Sequence, residues 1–284
     1  MKNDFLFVFM IFVAVCNFAY ADIEVKSQNG NSIIFSQPKY GNNIDPDAWS
    51  KLIFSQGGKK IDLSRAERYY TEDGSSKVSP SGSYLVVNSV AGDVLDFGNG
   101  TKQYASKAYC SVIDMRNGCI VSDWDGEVCS YQWTKGKDIL ASSDDSDADT
   151  FDFLTMKPSV KRIKNSYSTL KVMDASNLMR CDKVSNENVD DYQTLLKENE
   201  EVRPVVQRSI LNYINKLEIS SSISVSKSYL YSSPDESSIT KTYLVTGDKV
   251  KIIQLSPDKK WMEIGYISHR GNPLVKWVKS DNIK

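Results

Sequence analysis

The chain contains a single histidine, His269, the residue type that most often acts as general base for a serine or cysteine nucleophile. His269 lies in a polar stretch, residues 269–273, whose glycine and proline are typical of a loop. No nucleophile motif accompanies it, and one histidine is too few for a metal site built from several imidazole ligands. The pattern therefore favours a surface loop residue over a catalytic one.

Five cysteines form the next group of reactive side chains. Cys16 lies in an apolar N-terminal run, and the other four are Cys110, Cys119, Cys129 and Cys181. An even number of cysteines in an exported chain predicts two disulfides, with three pairings open. Their spacings of nine, ten and fifty-two residues lack the close pairs of a structural zinc site. If Cys181 pairs with a cysteine of the preceding β-rich region, that bond joins the region to the segment that follows it.

Carboxylates are the remaining candidates for chemistry. Alternate aspartates in the run 144–149 could converge on Ca²⁺. The run lacks the expected glycine, where Thr150 stands, and the expected bidentate glutamate, where Met156 stands, so we expect an ordinary solvated loop. Paired carboxylates could also cleave glycosides, which makes a carbohydrate-acting enzyme a further hypothesis. The sequence nominates no catalytic residue, however, and it predicts no metal site and no cofactor.

The N-terminus predicts export. Lys2 precedes an apolar run over residues 5–18, and small residues follow at Ala19 and Ala21, the two positions that a signal peptidase reads. We therefore predict a signal peptide over residues 1–21 and a periplasmic or secreted protein. The alternative, lipid attachment at Cys16, is disfavoured because the β-branched Val15 precedes the cysteine. No later segment is apolar enough to span a bilayer, so we expect no membrane insertion of the mature chain.

The charge balance excludes one class of partner. The 284 residues include 35 Lys and Arg and 36 Asp and Glu, which give a net charge of −1 without long runs of one sign. Nucleic-acid binding and attraction to anionic membranes both require a basic surface. We therefore expect no nucleic-acid partner.

Residues 22–160 predict a β-rich domain. Two Asx-Gly turns, Asn117-Gly118 and Asp125-Gly126, separate apolar runs and predict a three-stranded antiparallel meander. The β-favouring runs are 33–35, 51–54, 83–87, 109–114, 119–122 and 128–133. The turn at Ser79-Pro80-Ser81-Gly82 and the strands after it resemble one blade of a β-propeller, but a propeller needs at least four blades. We therefore predict an antiparallel sandwich or meander.

Residues 161–222 predict a helical segment and linker. From Ser185 onward, apolar residues recur every three or four positions on two successive helical faces. Pro204 stands between the two sets, which predicts two helices or one helix kinked at this proline. We expect the apolar faces to pack in a core, and we expect the serines 220–222 to be a boundary before the last domain.

The last segment, residues 223–284, predicts a small β-barrel. Short β-branched and aromatic runs are separated by Pro234, by Gly247-Asp248 and by Pro257-Asp258, the spacing typical of an all-β unit. The order of an aromatic run before Pro234, the run 243–250, the strand around Trp261 and the strand around Trp277 resembles a bacterial SH3 domain. Lys276 stands where such domains commonly carry glycine, so the resemblance does not define a ligand.

Such domains are usually attached to proteins of the cell wall or envelope. The resemblance therefore implies a module for recognition rather than chemistry, and we expect its ligand to be a peptide. On this hypothesis the protein is not an enzyme, and it binds a peptide of the cell-wall polymer (peptidoglycan) or of a protein partner in the envelope. Most aromatic side chains of the barrel should lie in its core, and we predict Tyr231 and Tyr266 as ligand contacts. The alternative is a periplasmic immunity or inhibitor protein that blocks an envelope-acting toxin or hydrolase, which requires shape and anchor residues but no chemistry.

Overall fold

The computed structural model describes residues 22–39, 48–72, 77–96, 98, 102–143, 145 and 147–284. The predicted signal peptide, residues 1–21, lies outside these ranges, as do Asp144 and Ser146 of the acidic run. The described chain is mainly β, with antiparallel sheets on either side of a helical segment, which confirms the predicted fold class. No helix among the described residues has the length and apolar character needed to cross a membrane.

The first sheet is a meander of nine strands. Their bounds are Ile23–Lys26 (β1), Ser32–Pro38 (β2), Ala48–Gln56 (β3), Lys59–Asp62 (β4), Arg68–Thr71 (β5), Lys77–Val78 (β6), Tyr84–Asp96 (β7), Lys102–Asp114 (β8) and Cys119–Asp125 (β9). The spatial order β1-β2-β3-β5-β7-β8-β9 follows the chain, with β4 paired to β3 and β6 to β7. Of the two predicted arrangements, the sandwich and the meander, the structure therefore has the meander.

Both faces of the first sheet bury apolar side chains. In β7, Leu85 and Val87 point to one core, and Tyr84 and Val86 point to another, because successive side chains of a strand alternate. The first core contains Val25, Ile33, Phe35, Trp49, Leu52, Phe54, Leu63, Tyr70, Leu85, Val87, Ile113, Met115 and Ile120. The second contains Tyr84, Val86, Cys110, Val112, Cys119, Val121, Leu140, Phe153 and Cys181.

The predicted third meander strand over residues 128–133 is wrong. Gly126–Ser130 is a 3-10 helix, and only Gln132–Trp133 is extended. This short strand (β10) joins two others in a separate three-stranded sheet of order β10-β11-β12. Its partners are Leu140–Ala141 (β11) and Thr150–Phe151 (β12).

Gly126 and a disulfide explain this departure. A Cβ at Gly126 would lie 2.5 Å from the Cβ of Ala108, so glycine allows the chain to return closely over β8. The return brings Cys129 to Cys110, and the two form one of the two disulfides. A strand that continued the meander would carry Cys129 away from β8.

Three α-helices follow the β-rich region. Their bounds are Val172–Cys181 (α1), Val189–Glu198 (α2) and Arg203–Lys216 (α3). Pro204 lies in the first turn of α3, where its missing N–H costs no helical hydrogen bond, so the two-helix prediction is confirmed. The predicted apolar faces are buried as expected, with Tyr192, Leu195 and Ile210 among the core residues. Helix α1 lies before the point at which the sequence predicted helices to begin.

Helix α1 covers the outer edge of β9, the end strand of the first sheet. The buried side-chain amide of Asn177 accepts a hydrogen bond from the Ile120 backbone N–H at 2.8 Å and donates one to the Ile120 carbonyl at 2.9 Å. It therefore satisfies the two backbone groups that a further strand would have paired. One turn later, Cys181 forms the second disulfide with Cys119 at the start of β9. Two disulfides are typical of proteins that fold outside the reducing cytoplasm.

The second large sheet has six strands in the order β13-β16-β17-β18-β14-β15. Their bounds are Ser220–Ser222 (β13), Ser228–Tyr231 (β14), Ile239–Leu244 (β15), Lys249–Leu255 (β16), Trp261–Ile267 (β17) and Pro273–Lys279 (β18). The strands predicted from the apolar runs of this segment are confirmed. The serines 220–222, predicted as a boundary, pair with β16 and belong to the sheet.

The helical segment packs against this second sheet. A Cβ at Gly265 of β17 would lie 2.9 Å from Cγ1 of Ile214 in α3, so the helix approaches the strand closely. Val275 of β18 belongs to the helical core, and its carbonyl accepts a hydrogen bond from the Gln193 side chain at 3.1 Å. The helical segment therefore contacts the first sheet through α1 and the second sheet through α2 and α3.

Candidate functional site

The side chains that the sequence singled out for chemistry lie apart from one another. His269 is exposed in the loop between β17 and β18. The four cysteines of the described chain are joined as Cys110–Cys129 and Cys119–Cys181, so none of them is a free thiol. Among the described residues, no group of three or more His, Cys, Asp or Glu side chains is placed to hold a metal ion.

The two predicted ligand contacts have different surroundings. Tyr266 is partly buried against the core of the second large sheet, where burial raises the pKa of its hydroxyl. Tyr231 is 5% exposed and packs edge to face on Trp261, with the ring centres 4.7 Å apart. Since Trp261 lines a surface groove, Tyr231 lies behind that groove and supports its wall. The structure does not bring the two tyrosines into one site.

This groove is the candidate functional site. It has a volume of about 480 Å³ and lies where three separate segments of the second large sheet meet, residues 234–236, 258–261 and 279–281. The first segment follows β14, the second begins β17, and the third ends β18. Because all three flank paired strands, the sheet holds the groove walls in fixed positions.

Short side-chain hydrogen bonds shape the first two of these segments, residues 234–236 and 258–261. Asp235 caps the 3-10 helix Glu236–Ser238 by accepting a hydrogen bond from the Ser237 N–H at 2.7 Å. Asp258 accepts hydrogen bonds from the Ser256 hydroxyl at 2.6 Å and the Lys260 N–H at 3.1 Å. These bonds stabilise the ionised carboxylates and hold the pKa of both aspartates below the ordinary range. Both groups are therefore suited to accept hydrogen bonds and unsuited to act as a general acid.

Basic side chains complete the groove. The Lys279 ammonium forms an ion pair with Glu236 at 2.6 Å, and this partner raises the pKa of Lys279. The same ammonium lies 6.0 Å from the ring centre of Trp261. Lys259 and Lys260 are exposed beside the tryptophan. The groove thus presents one aromatic wall and charges of both signs, which fits a flexible polar chain that carries its own charges.

The sequence predicted Tyr231 as a ligand contact but did not indicate the groove, and the structure has Tyr231 behind the groove wall. A usable signal was present in the run 258–261, where an aspartate and two lysines directly precede Trp261. Lys279 and Glu236 gave no such signal, because they are far apart in the sequence and meet only when β14 pairs with β18.

A second cluster of ionisable groups lies between the helices and the second large sheet. Glu263 of β17 is only 2% exposed, and its carboxylate accepts a hydrogen bond from Gln254 at 2.8 Å. Burial is the main cause that raises its pKa; the nearby Asp190 of α2 adds to the rise, and Lys276 opposes it. The negative charge of Glu263 in turn raises the pKa of Tyr213 in α3, in addition to the effect of burial. Glu263 is therefore buried at the contact between the helices and the sheet, whereas Asp190 is exposed at its edge.

This buried carboxylate predicts a pH dependence of stability. Because the pKa of Glu263 is raised above its ordinary value of 4.5, the folded state binds more protons than the unfolded state as the pH rises through that value. The contribution of Glu263 to stability is therefore present at acid pH and is lost as the pH rises through its folded pKa. We expect Glu263→Gln to raise the urea midpoint near neutral pH and to flatten the decline in stability above pH 4.5.

Urea unfolding at several pH values measures this effect. Glu218→Gln, at an exposed position next to α3, is the matched control and should leave the profile unchanged. A lower urea midpoint for Glu263→Gln at neutral pH would show that the ionised carboxylate stabilises the interface, contrary to this prediction.

Comparison of the chain with protein-family models, with curated proteins and with solved structures found no match.

Proposed function

We propose that this protein is a non-enzymatic binding protein of the cell envelope, and that the groove beside Trp261 recognises a peptide. The peptide belongs to the cell-wall polymer or to a protein partner. The observation that carries the proposal is the groove itself, a preformed concave surface with one tryptophan wall, ionised carboxylates and exposed lysines. The resemblance of residues 223–284 to bacterial SH3 domains supports the same reading.

The groove chemistry matches that of a peptide. Trp261, held by the Tyr231 ring, is 6% exposed, so it offers the groove a small but rigid apolar edge that loses little side-chain entropy on binding. The carboxylates of Asp235 and Asp258 can accept hydrogen bonds from peptide N–H or ammonium groups. Lys259 and Lys260 can pair with peptide carboxylates. Charges of both signs in one groove select for the order of charges along the peptide as well as for its presence.

Export fits this proposal. The predicted signal peptide and the two disulfides support export to an oxidising compartment, the periplasm or the cell exterior, where the wall polymer is accessible.

A cosedimentation experiment with purified, insoluble wall polymer tests the proposal. We expect the wild-type protein to sediment with the polymer, and we expect Lys259→Glu/Lys260→Glu to weaken retention roughly tenfold by reversing two exposed groove charges. Lys135→Glu/Lys137→Glu is the matched control, since it reverses two exposed lysines outside the groove. If the polymer retains both double variants equally, the groove is not part of the binding surface. Release of soluble sugar or peptide from the polymer would instead identify an enzyme.

One observation favours the alternative function, an immunity or inhibitor protein. Four exposed apolar side chains lie in or next to the β14–β15 hairpin, outside the groove, and such a patch is typical of protein interfaces. They are Tyr229, Ile239, Tyr243 and Val245. On this reading, a pull-down from envelope extract should capture one partner in a stoichiometric complex, and wall polymer should not retain the protein.

A further inference from the structure

The outer face of β14 continues from the groove to a second aromatic pair. Leu230 lies in the core of the sheet, so its neighbours Tyr229 and Tyr231 point to the outer face. Tyr231 packs on Trp261 at the groove, whereas Tyr229 packs edge to face on Tyr243 of β15, with ring centres 6.1 Å apart. Tyr229 and Tyr231 are two residues apart on β14, about 7 Å along the strand, and the β14–β15 register shifts between them, so the two pairs lie near each other on this side of the sheet.

The second pair is open to solvent. Tyr229 is 38% exposed and Tyr243 is 48% exposed, whereas Tyr231 and Trp261 of the first pair are buried. The exposed rings therefore provide apolar area that the fold itself does not use.

A lysine lies above this exposed pair. The Lys227 ammonium is 4.6 Å from the ring centre of Tyr229 and 4.2 Å from that of Tyr243. The two rings hold the ammonium in place through cation–π attraction. Among the described residues Lys227 has no carboxylate partner, in contrast to Lys279, which is paired with Glu236. Lys227 is thus a fixed cation beside an apolar surface, and it is available to an anionic group of a ligand.

We propose that Lys227, Tyr229 and Tyr243 form a second subsite for the ligand of the groove, and that this subsite binds a carboxylate and the adjoining apolar atoms of an extended peptide strand of the wall polymer. The inference rests on the proposed function of the groove and names the chemistry of its ligand.

Two forms of the purified wall polymer test the proposal, the native form and a form whose carboxyl groups have been converted to amides. The test variant is Lys227→Gln/Tyr243→Ala. The matched control is Lys137→Gln/Ile139→Ala, which removes one positive charge and one exposed apolar side chain outside the second large sheet. All four substituted side chains are exposed, so each variant should keep the wild-type circular dichroism spectrum and urea midpoint.

We expect the test variant to bind native polymer about tenfold more weakly than the wild type, and the control to bind like the wild type. Amidation should weaken wild-type binding more than binding by the test variant, because the test variant keeps only the carboxylate contacts of Lys259 and Lys260. The subsite would be overturned if the test variant bound native polymer as tightly as the wild type does. It would also be overturned if amidation weakened binding by the wild type and by the test variant equally. If Lys259→Glu/Lys260→Glu loses binding while the test variant does not, the function stands and the subsite falls. If the wild type is retained by neither form, the wall-polymer ligand and the subsite both fall, and only a peptide of a protein partner remains for the groove.

Discussion

Replacing Cys119 and Cys181 together by alanine is expected to lower the free energy of unfolding by about 4 kcal/mol. The bond closes a loop of 62 residues, and a longer closed loop restricts the unfolded chain more strongly. It also joins β9 to α1, so its loss removes one of the links between the helical segment and the first sheet, while the Asn177 hydrogen bonds remain. Urea unfolding under non-reducing conditions measures the change.

The other disulfide provides the control for this prediction. Cys110–Cys129 closes a loop of only 19 residues, so replacing both of its cysteines by alanine should cost about 3 kcal/mol. Both pairs have partly or fully buried sulfur atoms, which keeps the loss of packing comparable. If the short-loop variant loses as much stability as the long-loop variant, or more, restriction of the unfolded chain is not the main contribution.

Replacing Asn177 by leucine is expected to lower the free energy of unfolding by about 3 kcal/mol. The Asn177 amide pairs with both backbone groups of Ile120, and leucine would leave a buried N–H and a buried carbonyl without partners. An unpaired buried polar group costs about 1–3 kcal/mol, which exceeds the gain from burying leucine at an already packed site.

Two measurements check the Asn177 prediction. Urea unfolding gives the loss of stability, and hydrogen exchange should show faster exchange of the Ile120 amide. Asn215→Leu, at an exposed position of α3, is the matched control and should change stability by less than about 0.5 kcal/mol. Unchanged protection of the Ile120 amide in Asn177→Leu would mean that another group replaces the asparagine at the edge of β9.

Several elements could be predicted because their determinants are local. The alternation of apolar and polar residues in β16, and the spacing of three or four in α2 and α3, depend on the period of the backbone alone. Pro204 marks the start of α3 for the same reason, since a proline is tolerated in the first turn of a helix. The number of disulfides followed from the even count of cysteines.

Helix α1 and the strand predicted over residues 128–133 show where local patterns are insufficient. The docking of α1 on β9 includes the hydrogen bonds of one buried asparagine and one disulfide, and neither adds to an apolar stripe. The Asp125-Gly126 pair predicted a hairpin turn, but Gly126 instead allows the chain to pack closely on Ala108 of β8. In both cases a contact with a residue distant in the sequence determined the local conformation.

The periodic elements, the predicted export and the number of disulfides can be inferred from the chain alone, because each depends on neighbouring residues or on composition. The disulfide pairing, the groove beside Trp261 and the exposed Tyr229–Tyr243 pair become visible only in the folded protein. Each of these joins segments that are separated along the chain, and strand pairing brings them within a few ångströms of one another. The same holds for Glu263. Its pKa is raised mainly by burial against the helices, and the sequence of its own strand does not indicate that burial.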